Sequence, residues 1–194
     1  KNMDMGLFVE EVLAKEMRTA RRPINETFEK ILADIRENEA VMLPRILKGD
    51  KEIKIGGSAI LGKYTLVGWL DELETREVNI LKEQIEQAIF TFNVEGQNVT
   101  FEQINSKSKM KVIEEKDGTL AVNFDVRFEG VMNQHYFAVP DLPMDAAYLK
   151  EVEKKVSDDL EKDLLKTFKK VQKEFKVDIF EVREYIRRHE PDIY

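Results

Sequence analysis

Residues able to do chemistry are few in this sequence and scattered along it. Histidine occurs at His135 and His189 only, and neither has a second ligand at metal-binding spacing beside it. A metal site would have to recruit carboxylates from distant parts of the chain, so ordinary surface or turn roles are expected for both. Cysteine is absent, which removes disulfides, thiolate ligands and cysteine nucleophiles together. The serines stand at Ser58, Ser106, Ser108 and Ser157, none of them in the Gly-x-Ser-x-Gly elbow that nucleophilic hydrolysis uses. Gly56-Gly57 lacks the spacing, the following lysine and the helix start of a phosphate loop; a bulge or close backbone approach within a strand is expected instead. Asp158, Asp159, Glu161 and Asp163 are interleaved with lysines and have neither the spacing nor the glycine of a Ca²⁺ loop. Glu151 with Lys155 and Asp158 with Lys162 stand four apart, as on a solvated helix face. The sequons at Asn25 and Asn98 are short enough to be chance matches, and Asn25 is expected to cap a helix. No catalytic, cofactor-binding or metal residue is therefore assigned, and no cofactor is expected. Trp69, Phe180, Tyr185 and Tyr194 are the aromatic candidates for a partner surface, set against core packing, the commoner fate of such residues.

The elements that position these residues follow from apolar periodicity. Phe8, Val12 and Leu13 recur at helical spacing, and a second helix, capped by Asn25, would turn Phe28, Ile31, Leu32 and Ile35 inward. From Ala40 short apolar segments alternate with glycine turns, predicting strands over Val41 to Leu47, Glu52 to Ile60 and Tyr64 to Trp69. A short polar helix is expected from Glu72 to Gln84, and the change of composition near Asp71 suggests a boundary between residues 1–71 and 72–194. Beyond it, Phe90, Phe92 and Val94 alternate with their neighbours, as do Leu120, Val122, Phe124, Val126 and Phe128. Asp117-Gly118 supplies hairpin chemistry between the latter run and Met110 to Glu114, giving an antiparallel meander. An apolar stripe from Leu149 through Val152, Val156, Leu160, Leu164, Phe168 and Val171 to Phe175 then predicts one long helix, and a final helix covers about Ile179 to Arg188. The fold class is α+β: an antiparallel sheet covered by long amphipathic helices, preceded by a smaller α+β subdomain. Val122, Phe124 and Val126 are expected to bury against Leu160, Leu164 and Phe168.

Composition narrows function further. The chain has 194 residues, 42% of them hydrophobic, enough for a core; 36% are charged and the net charge is −7, which offers nucleic acid no net attraction. No run of 18 apolar residues is present to span a bilayer as a helix. The chain opens on Lys1-Asn2 with no signal-like segment, which reads as a fragment whose targeting signal lies elsewhere.

The order of several motifs resembles the Ger(x)C family of spore germination proteins. Lys176-Val177-Asp178-Ile179-Phe180, then Tyr185-Ile186-Arg187-Arg188 and Pro191, is similar to that family's closing signature. Leu43-Pro44, Ile55-Gly56-Gly57-Ser58-Ala59-Ile60 and Leu66-Val67-Gly68-Trp69-Leu70, followed by Glu74-Thr75-Arg76, resemble its middle-domain pattern. Members often have glycine soon after Asp-Ile-Phe, where this chain has Glu181-Val182-Arg183, and tryptophan near the end, where it has Tyr194. The resemblance implies a non-enzymatic subunit of a nutrient germinant receptor, held at the outer face of the spore inner membrane by an N-terminal lipid that lies outside this chain. Integral-membrane receptor subunits would be its partners. The alternative is an extracytoplasmic module that binds a germinant or ion in a pocket between the subdomains near Trp69.

Overall fold

Alternation and turn chemistry sort the strands into two three-stranded antiparallel sheets. The computed structural model describes residues 28–48, 53–85, 88–94, 97–135 and 146–191. The first sheet holds β1 (Ala40–Lys48), β2 (Ile53–Gly62) and β3 (Thr65–Leu70) in that order; the second holds β4 (Ala88–Val94), β5 (Gln97–Glu114) and β6 (Leu120–His135). Four helices accompany them among the described residues: α1 (Phe28–Glu37), α2 (Glu72–Leu81), α3 (Ala146–Lys170) and α4 (Val182–His189). Helix α3 runs on into a π-helical turn, Val171–Phe175, that ends at Lys176 in the left-handed region. The expected α+β class, with antiparallel sheet and long amphipathic helix, is the class observed.

Local chemistry explains the joints. Lys63 and Tyr64, at φ 49° and 67°, form the two-residue turn between β2 and β3, a conformation whose twist matches the flanking strands. The β5–β6 turn is longer than a tight hairpin. Glu115 N–H bonds to the Thr119 carbonyl, and the Asp117 carboxylate accepts from the Thr119 amide at 3.0 Å and its hydroxyl at 2.6 Å. Asp71 caps α2 by accepting from Leu73 N and Glu74 N, while Glu74 returns a bond from the Asp71 amide, so a capping box stands where the sequence changes composition.

Helix α2 is the centre of the molecule rather than a polar surface helix. It packs on α3, on β2 and β3 of the first sheet, and on β5 and β6 of the second. Six of its ten residues are consequently buried, including Thr75, Glu77 and Asn79. Thr75 exchanges a 2.8 Å hydroxyl bond with buried Ser58 of β2, while Ser106 and Ser108 donate to the carbonyls of Ile85 and Leu81. Three of the four serines thus fix α2 and its exit against the two sheets. One apolar cluster runs from Ala40, Ile60 and Leu70 through Val78 and Ile80 to Leu160, Leu164, Ile179 and Phe180, crossing position 71. On α1, Ile35 is buried and Ile31 half-buried, whereas Leu32, expected to face inward, is exposed at 40%. The helix expected around Phe8, the Asn25 cap and Tyr194 lie outside the described residues.

The Thr167 hydroxyl of α3 donates to the buried Glu77 carboxylate. Burial pushes the Glu77 carboxyl up from its ordinary range, opposed by the Thr167 bond, with Asp163 adding to the rise. A raised folded-state value means that this group's contribution to stability is fully present below the unfolded pKa and is lost as pH rises through the folded one. Glu77→Gln, which stays neutral and can accept the same bond, is expected to melt above the parent near pH 7 and together with it near pH 4. Thermal melts at the two pH values decide this, and a parent as stable as the variant near pH 7 would count against it.

Candidate partner surface and the cavity under the long helix

The outer face of the first sheet is an apolar strip. Trp69 lies opposite Ala59, which lies opposite Leu43; Leu66 lies opposite Leu61 on the same face. Trp69 and Leu66 are each 45% exposed, and the Arg45 guanidinium sits 4.7 Å from the Trp69 ring centroid, a cation over a π face. The inner face packs on the end of the chain. At Gly68 a Cβ atom would stand 2.2 Å from the Phe175 ring, so only glycine lets that ring lie against the strand. Lys170 holds the junction: its Nζ contacts both Glu74 carboxylate oxygens at 2.7 Å and the Trp69 carbonyl at 3.3 Å. The strand carrying Trp69 is therefore fixed from behind while its ring is presented outward.

The other aromatic candidates have different surroundings. Phe180 is buried, its ring 5.0 Å from Phe168 and 6.0 Å from Phe124, so it belongs to the core. Tyr185 is half-buried on α4 with its ring 4.7 Å from that of His189. The structure does not gather Trp69, Phe180 and Tyr185 into one surface; of these three candidates Trp69 alone is exposed.

The closing segment caps the last helix and completes the core. Asp178 accepts from Val182 N and Arg183 N, both at 2.9 Å, and so caps α4; Ile179 and Phe180 enter the core. Helix α4 accordingly begins at Val182, three residues later than periodicity suggested. Glu181 adopts φ 60°, in the left-handed region that favours glycine, and its carboxylate takes a 2.9 Å contact from Lys82 at the end of α2. Directly after Asp178-Ile179-Phe180 the chain thus holds a non-glycine residue in the left-handed region, tied down by an ion pair.

The second sheet meets α3 incompletely. Phe124 and Val126 pack on the cluster containing Leu160 and Leu164, and the Phe124 and Phe168 rings touch edge to face at 5.6 Å. Val122, Phe124 and Val126 nevertheless remain half-buried, because a cavity of about 1150 Å³ lies between this strand face and the helix. A second, far smaller cavity of about 20 Å³ lies among Asp34, Met42, Lys82 and Asp178. Trp69 lines neither of these two cavities.

The acidic run on α3 is a solvated face. Asp158, Glu161 and Asp163 are exposed, and Lys155 pairs with Asp159 at 2.9 Å. No group of three or more potential metal ligands converges among the described residues. His189 contacts the Tyr185 ring, and His135 stands at the end of β6.

Residues 56–194 match the protein family described as Spore germination B3/GerAC like, C-terminal. The chain belongs to that family. It is 26% identical over 167 residues to spore germination protein B3 of Bacillus subtilis (strain 168), an alignment covering 81% of this chain and 42% of that protein. The crystal structure of the GerBC protein superposes with a TM-score of 0.78 at 23% identity, over 88% of this chain and 53% of that one, and shows a shared fold. The chain thus spans about half the length of the relatives it matches. The family match covers β3, α2, the whole second sheet, α3 and the Asp178 cap, the elements that carry the closing signature and much of the middle pattern. No helix among the described residues is long and apolar enough to cross a membrane.

Proposed function

We propose that this chain is the C-terminal part of a non-enzymatic subunit of a nutrient germinant receptor, acting in receptor assembly or signalling at the outer face of the spore inner membrane. The family match over residues 56–194 carries this reading. Attachment to the membrane would come from an N-terminal lipid outside this sequence, two acyl chains sufficing where one is marginal. We place a division near Asp71, between residues 1–71, whose sheet presents Trp69, and residues 72–194, roofed by α3, with one apolar cluster continuous across it. The outer face of the first sheet is the surface we assign to the integral-membrane subunits: its Trp69 and Leu66 are exposed, Arg45 lies over the Trp69 ring, and Trp and Arg are among the residue types enriched at interface hot spots.

In-spore crosslinking of the full-length protein tests the assignment. Photo-reactive residues at Leu66 and Trp69 should crosslink to integral receptor subunits, while those at Lys154 and Glu161 should not. Crosslinks from the α3 positions alone would move the interface to the other face. Unchanged nutrient-triggered germination after deletion of this region would remove the receptor role. Trp69→Ala should shift folding stability by less than about 1 kcal/mol, since it removes an exposed ring and one cation–π contact. The same variant should weaken receptor association about tenfold, read by co-purification at matched expression. The alternative, a ligand-binding module, draws its support from the cavity under α3 rather than from the surroundings of Trp69.

A further inference from the structure

Helix α3 spans the second sheet as a beam resting on two supports. At one support Val152 packs with Val94 and Val99; at the other Leu160 and Leu164 join the main core, with Phe168 against Phe124. Between and beside these contacts lies the cavity of about 1150 Å³, lined by the Phe90, Phe92, Phe101, Phe128 and Met132 side of the sheet and by Val156 of the helix. Leu149 and Phe168, both lining it, stand about 28 Å apart along the helix axis at 1.5 Å per residue. The volume is slightly above the usual range for small-molecule sites, and the lining has their character of many apolar groups with a few polar ones.

The supports decide the shape of the occupant. Another helix, about 10 Å across, would have to lift α3 off both. A methylene chain, about 4 Å across, passes beneath it. Charge decides the head group. Glu153 and Glu161 of α3 line the cavity and are exposed, and no lysine or arginine is among the described residues that line it. Asp125 and Glu129 of β6 alternate onto the strand face turned away from α3, where Asp125 meets Arg127 at 3.3 Å and Glu129 accepts from the Asn105 amide at 3.3 Å. An anionic head would meet the two helix carboxylates at the opening.

We infer that the cavity between β4–β6 and α3 is a binding site for a slender amphiphile, a hydrocarbon chain carrying a cationic or neutral head and not an anionic one. This inference is independent of the receptor assignment and can fail or hold without it. The two natural sources of such a chain are a free amphiphile and a bilayer lipid.

The full 194-residue chain, titrated with dodecyltrimethylammonium or dodecyl sulfate below their micelle concentrations, tests it by native mass spectrometry and by displacement of the neutral dye 1-N-phenylnaphthylamine. Saturable binding of one cation is expected, at least tenfold tighter than the sulfate. Glu153→Lys with Glu161→Lys, both at exposed positions, should reverse that order, and Val156→Trp, which sets an indole across the cavity under the helix, should weaken dye and cation binding at least tenfold. Incubation with phosphatidylcholine vesicles distinguishes the sources. One lipid retained per chain after vesicle removal assigns a bilayer source, and binding of the monomeric cation alone assigns a free one. Absence of saturable cation binding by the folded parent, equal affinity for the two heads, or charge-reversed protein that keeps the parent's preference would overturn the inference.

Discussion

A Phe180→Ala chain is expected to lose about 3–5 kcal/mol of stability and to melt roughly 10 °C below the parent. The ring is 7% exposed and packs between Phe168 of α3 and Phe124 of β6, so its removal opens a cavity where helix, sheet and closing segment meet. Those neighbours cannot collapse inward, because the adjacent cavity already leaves the Phe124 side of the sheet underpacked. Phe180→Leu keeps most of the apolar volume and should cost less than about 1.5 kcal/mol. Urea melts of both variants measure the difference. If Phe180 were a partner contact instead, the alanine variant would melt with the parent and lose association, a result that would return this residue to the interface.

Gly57→Ala should cost about 3 kcal/mol, out of proportion to one added methyl group. Gly57 holds φ 76°, which costs an L-residue about 1–2 kcal/mol, and a Cβ there would stand 2.5 Å from the Leu70 carbonyl oxygen. The obstacle is backbone, so relief requires moving the end of β3, and with it the Asp71 cap of α2 one residue on. The urea midpoint should fall with an unchanged slope. A loss of less than about 1 kcal/mol would mean that the β3–α2 junction yields easily and that the glycine is incidental.

Where one face of an element meets solvent and the other meets protein, the pattern was readable. The alternation of Val122, Phe124, Val126 and Phe128 marked β6, and the stripe from Leu149 to Phe175 marked α3 with its π-helical extension. Gly56-Gly57 was legible as a close approach because glycine inside a strand pattern has few other uses. Helix α2 was legible as a helix from Glu72 but not as a buried one. It read as a polar helix, yet packing against two sheets and α3 buries Thr75, Glu77 and Asn79, with Ser58 and Thr167 supplying partners to Thr75 and Glu77. The sequence signal that was present is the run Val78, Ile80 and Leu81 beside them, too apolar for an exposed helix. Among the aromatic candidates, Trp69 and Phe180 are chemically alike in sequence; only the register of β3 and the fold-back after Lys176 separate an exposed ring from a core one. The cavity left no trace, since a half-filled interface and a filled one have the same apolar stripe.

The fold-back after α3 also sets the order in which the molecule can be made. Phe175 covers Gly68, Val177 covers Gly62, and Ile179 and Phe180 share a cluster with Ala40 and Ile60, so the last fifteen or so described residues close a core begun near residue 40. A chain growing from its N-terminus can cover the first sheet with α2 early, but completes that cover only when the closing segment has emerged. Such long-range closure slows folding and leaves apolar surface of the nascent sheet exposed to aggregation in the interval.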